Sequence, residues 1–234
     1  MIKDKKKFII GITMICSFVV ILYTMFLPLF NGKNSLEASD DLFNSISKGS
    51  SYYIPGLKTK VEKKQVGNLE LKLKTLEGQA NDMAIKMLEA AKMQVKPTQD
   101  SLTVSGDFSG LLLTVLNDAD KMFNNQDTEL SQQYSYGAKE TIYLWSEVLK
   151  AIEDGLNEQS KFAQSAFVSE INKKAIELSY NYAGIEPQSA SSKAVIIVLS
   201  LIFYICYTLW WGYAILILCE GLGLQMSAGK KKEV

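Results

Sequence analysis

The chain has 234 residues, with 25 Lys, 25 acidic residues, three Cys, and neither Arg nor His. The lack of His excludes a Ser-His-Asp hydrolase, a His-ligated zinc site and a c-type haem attachment. Without Arg there is no planar fork for a bidentate grip on phosphate, so neither nucleotide nor nucleic acid is an expected partner.

The apolar residues pool at the two ends and leave a polar middle. Residues 8–30 are an uncharged run of 23 residues, which as a helix extends roughly 35 Å and crosses a hydrocarbon core of about 30 Å. A basic start at Lys3, Lys5, Lys6 and Lys7 would also suit a signal peptide. The run, however, exceeds a signal core of about 7–15 residues, and Leu29, Phe30 and Asn31 lack the small side chains a signal peptidase needs. An uncleaved transmembrane helix is therefore expected. Residues 194–219 form a second uncharged run, closed by Glu220, with Gly212 as the expected bend.

Two spans put both termini on one side, and the side richer in Lys near the membrane is the cytoplasmic one. Seven Lys lie in the tails, residues 1–7 and 220–234 (Lys3, Lys5, Lys6, Lys7, Lys230, Lys231 and Lys232), against Lys33, Lys48 and Lys193 opposite. Both tails are predicted cytoplasmic and residues 31–192 extracytoplasmic, at the cell (inner) membrane. This middle region carries 17 Lys and 22 acidic residues, a net charge of −5. Cys16, Cys206 and Cys219 all fall in the spans, so the exported region contains no disulfide and must rely on an ordinary core.

Within the exported region, residues 35–49 read as a short helix with Leu42, Phe43 and Ile46 on one face and Gly49 as its stop. Pro55-Gly56 reads as a turn. Leu69, Leu71 and Leu73 alternate with charges as a strand, and Gly67-Asn68 suggests a hairpin whose partner is 58–65, a stretch that also passes as a Lys-rich helix. Ala80, Met83, Ala84, Met87, Leu88, Ala91 and Val95 recur at helical spacing up to Pro97. Leu102 and Val104 mark a second strand, and Asp107 is placed to cap a helix with Phe108, Leu111, Leu112, Val115, Leu116, Ala119, Met122 and Phe123 on its apolar face. The clearest period follows: Ala138, Ile142, Trp145, Leu149 and Ile152, interrupted at Gly155, then Val168, Ile171, Ala175, Leu178 and Tyr182. Two such helices joined by a short connection form an antiparallel hairpin. The expected fold is α+β and mostly helical: two transmembrane helices flanking one exported domain, with a helical bundle or hairpin and a small β element.

Catalytic and metal motifs are missing. Asp118, Asp120 and Glu129 match three positions of a calcium loop, but Met122 and Phe123 stand where a ligand and the turn-forming Gly belong. Glu140, Tyr143, Glu147, Lys150 and Asp154 share a helix face that reads as the solvated side. No catalytic residue, metal ligand or cofactor is assigned. Tyr52, Tyr53, Tyr134 and Tyr136 are the candidate ligand or docking surface. Thr13, Ser17 and Thr24 in the first span, and Ser200, Tyr204, Tyr207 and Trp211 in the second, are the candidate helix contacts, because small and hydroxyl side chains permit close approach and interhelical hydrogen bonds.

The layout of span, helical exported domain and span resembles the sensory half of bacterial transmembrane receptors. Those receptors continue into a cytoplasmic signalling region, whereas the 14 residues after Glu220 are too few for one, so a signal would pass through a partner. The expected role is a non-enzymatic accessory or docking subunit of a membrane complex, its partners the lipid bilayer and a membrane protein or a second copy. The alternative is an extracytoplasmic ligand-binding sensor.

Overall fold

The computed structural model describes residues 2–64, 67–98 and 101–224. Lys230, Lys231 and Lys232 lie outside the described residues. The chain divides into two units, one of Met1–Phe43 with Ser189–Val234 and the other of Asn44–Gln188.

The first unit is dominated by α1 (Lys5–Met25) and α10 (Ala194–Leu222), two helices long and apolar enough to cross a membrane by length and composition. Asp4 caps α1 by accepting from the Lys6 and Lys7 amides. The helix stops at Met25, five residues short of the expected bound, because Pro28 disfavours helical geometry at Leu27. Helix α10 runs unbroken through Gly212, where a bend was expected, and ends at Gly223 with φ of +79°. Such a left-handed cap suits Gly.

The second unit is mostly helical, with a three-stranded antiparallel sheet in the order β1 (Asn68–Lys74), β3 (Ser101–Asp107), β2 (Gln94–Pro97). Leu69, Leu71 and Leu73 of β1 and Leu102 and Val104 of β3 turn inward. Around this face pack α3 (Ile54–Lys64), α4 (Gln79–Ala90), α5 (Phe108–Phe123), α6 (Asp127–Tyr134), α7 (Ala138–Glu158), α8 (Phe162–Ile171) and α9 (Glu177–Asn181). Helix α2 (Ser35–Ser50) contains the boundary between the units. Trp145, Phe108, Leu112, Leu116, Met122 and Ile142 fill the centre of the core, each less than 2 % exposed.

Four sequence expectations are corrected. Pro55-Gly56 is not a turn but lies in the first turn of the helix Ile54–Lys64, where a missing N–H costs no intrahelical bond. Of the expected partner strand 58–65, the described residues 58–64 do not pair with β1: Ile54–Lys64 is helical because Ile54, Leu57 and Val61 fall on one buried face, and β3 takes the place beside β1. Helix α4 ends at Ala90, not Pro97, since Lys92 turns the chain at φ +61° and Val95 joins β2 opposite Val104. Gly155 does not interrupt α7 but lies within it, packed beside Leu71 of β1. Between α8 and α9, Asn172–Ile176 forms a π-helical turn. The wider turn places the adjacent residues Ala175 and Ile176 both inside.

Candidate functional site

An open concavity of the second unit, about 810 Å3, is a groove between α4, the first half of α7 and α9. Its floor is Leu76, Ala80, Met83 and Leu144. Two aromatic side chains stand over it with much of their surface in solvent, Tyr143 at 56 % and Tyr180 at 41 % exposure. Glu77, Glu140 and Glu147 lie on its walls, opposed by Lys139. Glu147 accepts from Lys150 Nζ at 2.9 Å, whereas Glu77 and Glu140 form no ion pair among the described residues. Sequence reading placed Glu140, Tyr143 and Glu147 on the solvated face of α7. It could not see that α4 and α9 turn that face into the wall of a groove.

The four candidate tyrosines are distributed differently. Tyr52 stacks on Phe123 at 5.2 Å and donates to Asp120 Oδ1 at 2.6 Å. Tyr53 is half exposed, with Lys174 Nζ 6.0 Å from its ring centre. Tyr136 packs against the core, and Lys86 Nζ lies 5.7 Å from its ring centre. Tyr134 is buried and donates its hydroxyl to Asp118 Oδ2 at 2.5 Å. Among the described residues no ring contact joins the first pair to the second.

Asp118, the first position of the failed calcium template, is the centre of a buried polar network. Its carboxylate is 1 % exposed and accepts from Tyr134, from Trp145 Nε1 at 2.8 Å and from Gln133 Nε2 at 3.4 Å. Burial pushes its pKa above the ordinary aspartate range, and the three donors pull against that. The same burial and the neighbouring carboxylate drive Tyr134 far upward, so it remains a neutral donor. Beside this network lies a polar hollow of about 430 Å3, lined in part by Asn117, Asp120, Lys121 and Gln133. Lys121 donates to Gln133 at 2.6 Å, and Asp120 accepts from Lys58 at 2.7 Å as well as from Tyr52, so several of its polar groups already satisfy one another. No group of three acidic or Cys side chains suited to a metal occurs among the described residues.

A second buried polar centre joins the segment entering this unit to the segment leaving it. Lys48 is fully buried and donates to Ile185 O at 2.6 Å, Asn125 Oδ1 at 2.9 Å and Tyr182 O at 3.0 Å, with Phe123 5.2 Å from its ammonium. Burial lowers its pKa, opposed by the negative charges of Glu186 and Asp127. Asn125 is the hub: it also accepts from Gly184 N and donates to Ile185 O and Glu186. The Gln188 amide donates to Ser45 O at 2.9 Å, and Ser47 Oγ lies 2.5 Å from the Tyr182 hydroxyl.

In the first unit α1 and α10 run antiparallel. Phe18 stacks on Tyr207 at 4.1 Å and leans on Trp211 at 4.5 Å, while Trp210 Nε1 donates to Met14 O at 3.2 Å. Thr13, Ser17 and Thr24 donate to carbonyls of their own helix, and Ser200 and Tyr204 are exposed. The closest approach involves glycines that sequence reading passed over. A Cβ at Gly11 would fall 2.8 Å from Leu218 Cα, and one at Gly221 would fall 2.5 Å from Phe8 N. Lys7 and Glu220 pair at 2.8 Å near the same end.

No family model matches the chain, and no curated protein or solved structure is significantly similar to it.

Proposed function

We propose that the chain is a two-span protein of the inner membrane, with both termini cytoplasmic, whose extracytoplasmic helical domain is a non-enzymatic docking subunit of a membrane complex. The observation that carries this reading is the open groove of α4, α7 and α9, where two exposed tyrosines stand above an apolar floor. Half-exposed aromatics over an apolar floor are typical anchors of protein interfaces. A small-molecule sensor needs instead an enclosed pocket with free, convergent polar groups. The polar hollow beside Asp118 is the feature that favours that second reading, although several of its groups bond one another.

The test is purification of the full chain from membranes in mild detergent, followed by mass measurement and chemical cross-linking. The docking reading expects a complex of fixed stoichiometry with a second membrane protein, cross-linked through residues of the 44–188 unit. A lone, monodisperse chain carrying a bound small molecule would replace it with the sensor reading.

A further inference from the structure

Resting on the docking reading, we infer that the groove of α4, α7 and α9 receives an amphipathic segment of a partner protein carrying at least two basic side chains. Glu77, Glu140, Glu147 and Lys139 line it; Lys150 neutralises Glu147, and Glu77 and Glu140 are unpaired among the described residues, which leaves two acids against one Lys. An anionic ligand or an anionic lipid surface is repelled by such walls. A cationic side chain gains both a carboxylate and the face of Tyr143 or Tyr180.

A second copy of the chain fits poorly. A two-fold axis through the groove would set it against itself, acid against acid, and the 44–188 surface that a second copy would offer elsewhere belongs to a region with a net excess of acidic residues.

The geometry also limits the segment's length. The α7 wall runs from Lys139 to Glu147, about 12 Å or two helical turns, and Glu140 and Glu147 are separated by about 10 Å along the axis. The partner segment therefore spans roughly two turns, with basic residues to meet Glu77 and Glu140 and apolar residues to meet Met83 and Leu144.

The experiment places the photo-reactive residue p-benzoylphenylalanine at Tyr143, and separately at Tyr52 and Phe162, in the full chain in intact cells. Each adduct is then sequenced. The expected adduct at Tyr143 maps to an apolar segment with two or more Lys or Arg. Its yield falls at least about tenfold in a Glu77→Lys, Glu140→Lys chain, since like charges at an interface cost several kcal/mol, and acidic replacements of the partner's basic residues restore it. An adduct in a neutral or acidic segment, in lipid or in a second copy overturns the inference, as does an unchanged yield after charge reversal. If Tyr143 gives no adduct while Tyr52 or Phe162 does, the inference fails and the docking reading stands. If all three positions give no protein adduct, the docking reading itself fails.

Discussion

At the scale of single residues, the second unit depends on two buried polar centres whose members respond differently to substitution. The Asp118 carboxyl holds its proton more tightly in the folded chain than in the unfolded one, because burial penalises its charge more than its three donors reward it. Its contribution to stability is therefore greatest below the ordinary aspartate pKa, declines as pH rises through the raised value, and is constant above it. The stability of the native chain minus that of an Asp118→Asn chain should fall with rising pH across this window, followed by Trp145 fluorescence during urea unfolding with Trp210 and Trp211 replaced by Phe. A difference that grows with pH would show that the donors outweigh burial. At the other centre, Asn125→Ala should cost more than Lys48→Met. Losing the Lys48 ammonium leaves each acceptor with another donor: Ile185 N for Tyr182 O, Asn125 Nδ2 for Ile185 O, and Gly184 N for Asn125 Oδ1. Because those three partners are neutral oxygens, removing the ammonium leaves no hydrogen-bonded counter-charge buried and unpaired. Asn125→Ala removes the shared partner of Lys48, Gly184 N, Ile185 O and Glu186 and places Ala at φ +58°, a left-handed conformation that costs about 1–2 kcal/mol by itself. Equal urea midpoints for the two variants would contradict this ranking.

At the scale of elements, legibility followed the period of the buried side chains. Helices α5 and α7 are readable because their apolar residues recur every three or four positions over several turns, and Asp107 caps α5 as its position implies. Helix α3 misleads because Leu57, Thr59 and Val61 alternate with Lys58 and Lys60 as a strand would, and only packing selects the face of Ile54, Leu57 and Val61. The turn at Lys92 left no signal, since Lys is not a residue that favours positive φ. The groove was half legible: Glu140, Tyr143 and Glu147 share a face by spacing, but Glu77 and Tyr180 come from distant elements that spacing cannot bring together. In the helical pair, hydroxyl residues drew attention while the tightest contacts belong to Gly11 and Gly221, because bare backbone is conspicuous only once a neighbour is in place. A test follows from the Lys3 Cβ, which lies 3.2 Å from where a Cβ on Gly223 would sit, just inside the roughly 3.5–4.5 Å of a disulfide, so a small backbone shift that also relieves the positive φ of Gly223 brings the pair into range. Lys3→Cys with Gly223→Cys, in a chain lacking Cys16, Cys206 and Cys219, should cross-link within one molecule on mild oxidation. Adding Gly11→Leu, whose side chain must enter space held by Leu218, should reduce that yield severalfold. Undiminished cross-linking would mean that the helices do not depend on this approach.

For the whole molecule, the proposed role requires that the 44–188 unit be held across a membrane from both tails. Residues Phe8–Met25 of α1 extend about 27 Å, close to a hydrocarbon thickness of about 30 Å even after the early stop at Met25. Helix α10, at 29 residues and about 44 Å, is long enough to cross with tilt and continue into the interface. Most large side chains of α10 are exposed, as lipid-facing residues must be, and its polar contacts are confined to hydroxyl, indole and terminal groups. On the proposed reading two crossings return the chain to its starting side, and seven tail Lys against three on the opposite flank favour the cytoplasm as that side. The arrangement is tested by single cysteines in a chain lacking Cys16, Cys206 and Cys219, probed with a membrane-impermeant maleimide. A cysteine replacing Lys72, on the outward face of β1, should react in intact spheroplasts, whereas one replacing Ile2 should react only after lysis. The reverse pattern would invert the topology and put the groove in the cytoplasm. Labelling of both sites before lysis would show that α1 does not cross, with the N-terminus on the same side as the domain, and labelling of neither until lysis would remove the basis for an extracytoplasmic docking domain.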